Sequence, residues 1–387
     1  MIDKVTQTIN EIMDELKELS EYIYNNPELG YEEIKSSAAH IELLKKYGFN
    51  VEKGYMGMET AFRAEFDSGK EGPTIGYLAE YDALPEIGHG CGHNILGTTS
   101  TGAGITLSKF LDEIGGRVVV FGTPAEETSG GKVIMADNGA FNDIDVAMMT
   151  HPNHTHTKSG ASLALQAIQF TFKGKSAHAA AHPEKGINAL DGAINTFNNI
   201  NALREHIKST ARIHGIIKDG GRAANIVPDL AIAQFYVRAR TKTYLEELVE
   251  KVKNCANGAA LASGTELEIT NYEASYDNLV TNHTLSELYC SRLKDMGAEE
   301  INEPREGYGS LDMGNVSHVC PSIHPHFSIS DEEIIAHTRE FAQATIKNRA
   351  YKGMREAIGA LVLTAIDVIK DDSLLKAVKK EFNNTKK

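Results

Sequence analysis

The stretch ALQAIQFTF, residues 164–172, marks a change of texture in a chain that until then alternates short apolar runs with helical patterns. It reads as a strand, and after it come a helix over 188–204, strands over 213–217 and 231–240, a helix over 244–262 and a strand over 266–272. The order β-α-β-β-α-β is that of a ferredoxin-like α+β domain of about a hundred residues. Residues with metal or proton chemistry stand mostly before His151 or near His337, so the block is read as an insertion. The expected division is a discontinuous domain of residues 1–163 and 273–387 with an inserted domain of 164–272.

Outward from the insertion, Val5, Ile9, Ile12, Leu16 and Leu19 recur at helical spacing, and the helix closes near Asn26-Pro27. A second helix is predicted over 36–47, ending at Gly48. Apolar runs at 74–79, 117–122 and 145–149 read as strands, with a helix over 96–111 between the first two and a last helix over 357–371 before a charged tail. Strands alternating with helices predict an α/β domain with helices on both faces of its sheet.

The chain has 387 residues, room for two or three domains, and 39 Lys and Arg stand against 53 Asp and Glu. A net charge of -14 repels phosphate backbones and anionic headgroups, which argues against nucleic acid and membrane partners. Cys91, Cys255, Cys290 and Cys320 are too sparse for a disulfide framework. No secretion signal is visible, and the most apolar run, 357–366, is about half a membrane span. The expectation is a soluble cytoplasmic protein.

The densest chemical signal is Gly88-His89-Gly90-Cys91-Gly92-His93-Asn94, a thiol and an imidazole two residues apart in a loop that glycines let turn tightly. Taken alone, a buried cysteine beside a solvent-facing histidine accounts for it as well as a metal site does. Thr123-Pro124-Ala125-Glu126-Glu127 puts adjacent carboxylates at the end of the 117–122 strand. One could bind a cation while its neighbour moves protons, although spacing alone fits a pair of solvated loop glutamates better. His151 follows the next strand, with His154 and His156 close behind. Near the C-terminus, His337 stands after an acidic, helix-like segment and is better placed than His324 or His326. Three successive strand ends thus offer Cys/His, Glu/Glu and His, donors that suit Zn²⁺ or a similar ion, at the sheet edge where α/β proteins gather ligands. Mixed ligands with a spare carboxylate point to a catalytic rather than a structural metal.

With these residues in hand, the chain resembles the M20 metallopeptidase and amidohydrolase family, and within it the aminoacylase-like and aminobenzoyl-glutamate hydrolase branch. The resemblance rests on Ala79-Glu80-Tyr81-Asp82-Ala83-Leu84-Pro85, His89 to Asn94, Pro124 to Glu127, Thr150-His151-Pro152 and Lys175-Ser176-Ala177-His178-Ala179-Ala180, and runs from Asn26-Pro27-Glu28-Leu29-Gly30 to His337-Thr338. It implies metal ligation by Cys91, His93, Glu127, His151 and His337, with Glu126 as general base and acid and Asp82 orienting the ligands. It implies that His178 reaches into a partner subunit's site to stabilise an oxyanion. Asn225 and Arg238 are implied to contact the substrate's carboxylate or backbone, and the loop 309–315, with Ser310, to line the pocket. Glu80 stands where the broader family has a ligating histidine, and Asn94 where many relatives carry Asp.

The function these resemblances imply is hydrolysis of a small N-acyl amino acid, an aminobenzoyl-glutamate-like compound or a dipeptide. Two ions per subunit are expected, Zn²⁺ or Mn²⁺, with Co²⁺ able to substitute. A homodimer is expected through the inserted lid domain, where the strand of Gln234, Tyr236 and Arg238 offers an edge for pairing. The rival reading is a metal-dependent peptide-binding protein without catalysis, against which Glu126 speaks, since a binding site has no use for it. A zinc deaminase is a remote reading, since its His-x-Glu and Pro-Cys-x-x-Cys signature is missing.

Overall fold

Val5, Ile9, Ile12, Leu16 and Leu19 lie buried along one face of the first helix, α1 (Ile2–Asn25). The structure, a computed structural model, describes residues 1–304, 307 and 309–385. After α1 come α2 (Ile34–Lys46), β1 (Asn50–Lys53), β2 (Phe62–Asp67), β3 (Thr74–Ala79), α3 (His93–Ile114), β4 (Arg117–Gly122), α4 (Gly131–Asp137), β5 (Val146–Met148) and β6 (His151–Asn153). The second block holds β7 (Ala164–Lys173), α5 (Ala189–Leu203), β8 (Arg212–Asp219), β9 (Leu230–Ala239), α6 (Lys242–Ser263) and β10 (Glu266–Asn271). The chain then runs through α7 (His283–Asp295), α8 (Met313–Ser317), β11 (Ser322–Ile323), β12 (His326–Ser328), α9 (Arg339–Ala344), α10 (Asn348–Lys370) and α11 (Asp372–Thr385). It divides into one unit of residues 1–161, 279–307 and 312–387 and another of 162–278 with 308–311.

The first unit is a mixed sheet in the order β1-β2-β4-β3-β5-β11. β3 runs parallel to β4 and β5, and β11 parallel to β5, while β2 is antiparallel to both β1 and β4. α3 packs on β3 and β4 and is itself covered by α1 and α10. Leu361, Ile358, Leu16 and Val120 are among the fully buried side chains of this core, each contributing about 2 kcal/mol by leaving water. On the opposite face Phe121 meets Phe141 edge-on, with ring centroids 4.9 Å apart. Because β3, β4 and β5 are parallel, the loops that leave their carboxyl ends converge on one edge of the sheet.

β1 and β2 are not among the expected strands; β1 is short and mostly exposed, whereas β2 does alternate, with Phe62, Ala64 and Phe66 set against Arg63, Glu65 and Asp67. α10 begins nine residues before the predicted 357, and the charged tail is itself helical as α11; the last two residues of that tail lie outside the described residues. Among the described residues no helix is long and apolar enough to cross a membrane.

The second unit is an antiparallel sheet in the order β10-β7-β9-β8, with α5 and α6 over one face. Phe170, Phe172, Phe235 and Val237 fill that face, and Gln169, Gln234, Tyr236 and Arg238 line the other. β9 is therefore not an edge strand, as its alternating sequence led us to expect: it pairs with β7 on one side and β8 on the other. Alternation records one covered face, whereas an edge is a missing neighbour in the plane of the sheet. The edges are β8 and β10. The unit also extends past the expected limits of 164 and 272, since Leu165 and Tyr276 exchange backbone hydrogen bonds of 2.7 and 2.9 Å and the Leu163 N–H donates to the Gly309 carbonyl at 2.9 Å.

Candidate metal centre

β3 delivers Glu80 and Asp82, and the glycine-rich loop after it turns the chain into α3. Gly92 makes that turn at φ +84°, and a Cβ there would stand 2.6 Å from Pro152 Cγ, so both conformation and space demand glycine. The turn sets Cys91 beside His93, the first residue of α3. Asp82 accepts the His93 Nδ1–H at 2.7 Å on one oxygen and the Glu127 N–H at 3.0 Å on the other. It thereby orients two candidate ligands and leaves the His93 Nε2 lone pair facing inward.

At the end of β4, Ala125 adopts φ +61°, a left-handed conformation that costs a residue with a Cβ about 1 kcal/mol. This turns Glu126 and Glu127 inward: Glu126 Oε2 lies 3.9 Å and Glu80 Oε2 3.2 Å from His93 Nε2. His151, just beyond β5, donates from Nδ1 to the Pro152 carbonyl at 2.9 Å and brings Nε2 to 3.5 Å from Cys91 Sγ. His337 is also left-handed, at φ +66°, with its N–H on the Gly90 carbonyl and its Nε2 3.4 Å from Glu127 Oε1. The acidic segment before it is not helical; the chain from 329 to 338 is irregular, so His337 is placed by its bond to Gly90.

The candidate ligands fall into donor groups whose atoms lie within 4.8 Å of one another: Cys91, His93 and His151; Cys91, Glu127 and His337; and His93, Glu126 and Glu127. Buried His93 Nε2 and Glu80 Oε2 stand 3.2 Å apart and Glu127 Oε1 stands 3.4 Å from His337 Nε2, yet among the described residues none of the three makes a well-directed hydrogen bond. Orphaned buried polar atoms are expensive, and a cation among a thiol, imidazoles and carboxylates satisfies them. The donor set therefore fits a divalent metal.

Charge is tightly coupled across this cluster. Burial opposes ionisation of Glu127, but the His337 hydrogen bond and the neighbouring His93 and Cys91 outweigh it and hold the carboxyl at about 2. Glu126 goes the other way, pushed well above the usual carboxylate range by burial and by the negative Glu80 and Asp312. Burial raises the Cys91 thiol and lowers His151. For His93 burial is overcome by Cys91, Asp82 and Glu80, which raise it.

His324 and His326 stack around His151 at ring distances of 5.6 and 5.8 Å but do not enter the donor groups, and His156 pairs with Glu356 at 3.4 Å instead. In the second unit His178 is exposed, with Nδ1 accepting the N–H groups of Ala180 and Ala181 at 3.3 and 3.2 Å. A turn beside it holds Asn225, whose carbonyl takes the Ala179 N–H at 3.0 Å. Arg238 Nη1 donates to Ser310 Oγ at 3.2 Å.

The sequence reading missed Lys132 and the paired role of Asp312. Lys132 is fully buried, its Nζ 2.6 Å from Glu80 Oε1 and 2.7 Å from Asp312 Oδ1. A lysine after Gly130-Gly131 carries no sign of burial, and only the fold brings Asp312 to it.

A sheet edge carrying a mixed thiol, imidazole and carboxylate centre, with a further carboxylate beside the ligands, defines a metal-dependent hydrolase of the peptidase and amidohydrolase type. The profile of the peptidase dimerisation domain matches residues 164–263. The Xaa-Arg dipeptidase of Mus musculus is 36% identical over 98% of this chain and 91% of its own length. One of the subunits of the p-aminobenzoyl-glutamate hydrolase of Escherichia coli (strain K12) is 33% identical over 74% of this chain and 63% of its own. A dinuclear metal-binding peptidase of the M20 family from Bacillus subtilis superposes with a TM-score of 0.68 at 19% identity, covering 92% of this chain and 99% of that one. The chain belongs to the M20 family of metallopeptidases and amidohydrolases.

Proposed function

We propose that the protein hydrolyses the amide bond of small linear substrates, dipeptides foremost, with Glu126 carrying the proton. The observation behind this is the Glu126 carboxylate beside the ligand cluster, 3.9 Å from His93 Nε2 and adjacent to Glu127. Cys91, His93, Glu127, His151 and His337 would hold one or two divalent cations, Zn²⁺ or Mn²⁺ with Co²⁺ as a substitute, and the two donor groups that share Cys91 favour two. Such a cation supplies Lewis acidity, polarising the carbonyl and making water easier to deprotonate.

Glu126 takes a proton from the attacking water and returns it to the leaving nitrogen. Asp82 keeps His93 and Glu127 in register. His178, with Nδ1 engaged by backbone N–H groups, has Nε2–H to offer the carbonyl oxygen as negative charge develops, a contribution of about 3 kcal/mol to the barrier. In this reading His178 comes from a partner subunit, and Arg238, Ser310 and Asn225 hold the substrate's carboxylate or backbone. A reducing cytoplasm keeps the Cys91 thiol available. In this reading dipeptides with a C-terminal arginine come ahead of N-acyl amino acids and aminobenzoyl-glutamate, a ranking supported by the near full-length likeness to an Xaa-Arg dipeptidase.

The test is amine release from these three substrate groups by stripped protein reloaded with Zn²⁺, Mn²⁺ or Co²⁺. Metal-dependent cleavage of one group is expected; silence across all three with metal bound would sustain the non-catalytic binding reading instead.

The homodimer is proposed through the edge strand β8, where Ile216 and Ile217 are 60% and 40% exposed on a strand that has one neighbour among the described residues. Ile216→Lys is expected to convert the dimer to a monomer in light scattering and, because His178 then lacks a partner site, to lower turnover with it. An active Ile216→Lys monomer would contradict the shared site.

A further inference from the structure

We propose that Glu33 is a positioning residue for Glu126 and Glu127, acting through Ala125. This rests on the reading of Glu126 as the proton carrier and of Glu127 as a ligand. Glu33 precedes α2 in the run Asn26-Pro27-Glu28-Leu29-Gly30-Tyr31-Glu32-Glu33, which neither the metal centre nor the substrate contacts account for. Its side chain is fully buried. Oε1 accepts the Ala125 N–H at 2.8 Å and Oε2 accepts the Thr60 hydroxyl at 2.8 Å.

Ala125 is the left-handed residue whose turn points the two following carboxylates inward. Its carbonyl takes the Gly130 N–H at 2.8 Å, so the loop is closed on itself at that end, and Glu33 holds the other end from outside the loop. Gly30 lies against the same residue; a Cβ there would be 2.9 Å from Ala125 Cβ and 2.5 Å from Thr128 Oγ1. The Thr60 carbonyl accepts the Tyr81 hydroxyl at 2.6 Å, and Tyr81 stands between Glu80 and Asp82. The Tyr81 bond is to the Thr60 backbone and does not need the Thr60 hydroxyl, so it is the Ala125 bond through which Glu33 holds the β4 loop. A left-handed alanine persists only where its surroundings enforce it. Without the Glu33 acceptor the loop can relax, and displacement of a reacting group by about 1 Å costs on the order of a hundredfold in rate.

The experiment compares Glu33→Leu, Glu33→Gln and Thr60→Val in the full chain, measuring kcat, KM, thermal stability and Zn²⁺ affinity by chelator competition. Glu33→Leu is expected to lose about a hundredfold in kcat with KM within about threefold. It should also bind Zn²⁺ about tenfold more weakly, as the loss of an outer-sphere partner does elsewhere. Glu33→Gln keeps an oxygen for Ala125 and turns its amide to the Thr60 hydroxyl, so it should stay near the parent protein in every readout. Thr60→Val lowers stability but leaves the Ala125 bond, and should keep kcat. If the parent protein cleaves no amide in the panel, the Zn²⁺ affinities still decide, with the Leu variant weakened and the Gln variant not. If Glu33→Leu does not fold, Glu33→Asp, whose carboxylate falls one methylene short of Ala125, replaces it with the same expectation. A folded Leu or Asp variant with parental kcat and Zn²⁺ affinity, or a Thr60→Val that loses kcat as the Leu variant does, would overturn the proposal.

Discussion

Glu126→Gln is expected to lower turnover by about a thousandfold or more while the protein keeps its full complement of metal. The amide matches the carboxylate in size and can occupy the same place 3.9 Å from His93 Nε2, but it cannot accept and return a proton. The candidate ligand Glu127 is untouched, with its N–H still on Asp82 and its carboxylate still facing His337. Elemental analysis of the purified variant alongside turnover on the preferred amide separates the two effects. Retained metal with lost turnover fits the proton role. Unimpaired turnover removes Glu126 from the mechanism, and joint loss of metal and turnover makes it a ligand.

The largest effect on stability is expected at Lys132. Its ammonium group is the cation between Glu80 and Asp312, all three side chains being at most 2% exposed. Burial disfavours the charged lysine, yet Asp312 and Glu80 together more than reverse this and raise it. Lys132→Met keeps the bulk but leaves two buried carboxylates facing each other, and removing one partner of a buried pair costs about 3–5 kcal/mol. Urea unfolding of the variant should show that loss. Adding Glu80→Gln removes one of the stranded charges and should recover part of it. A Lys132→Met chain as stable as the parent would mean that water reaches the pair. The same network sits behind Glu126, whose carboxyl feels both Glu80 and Asp312, so removing the lysine also makes the surroundings of the proposed proton carrier more negative.

Much of the fold was legible because its signals are local. The runs at 74–79 and 117–122 coincide with β3 and β4, and the helix and strand pattern from 164 to 272 reproduces the elements of the second unit within a few residues. Cys91, His93, Glu127 and His151 were legible as candidate ligands because each comes after a strand, and parallel strands end on a common edge. What escaped depends on contacts distant in sequence. Lys132 and Asp312 are 180 residues apart. Glu33 reaches Ala125 across 92 residues. Nothing in the sequence around any of them announces burial. The misplacement of β9 at an edge has a different origin: its alternation reflects α5 and α6 on one face, and neighbours within a sheet leave no trace in that pattern. The choice among His324, His326 and His337 likewise turned on the backbone of His337, left-handed and bonded to Gly90.

The central claim is that the cation held at Cys91, His93, Glu127, His151 and His337 switches on amide hydrolysis. Its most direct test is titration of the stripped protein with Co²⁺, following the thiolate-to-cobalt charge-transfer absorption and dipeptide hydrolysis in the same samples, with Cys91→Ser as the reference. Hydrolysis that rises in step with the absorption, and an absorption missing from Cys91→Ser, is the predicted result. An absorption that saturates without hydrolysis, or hydrolysis that appears with no absorption from Cys91, would contradict it.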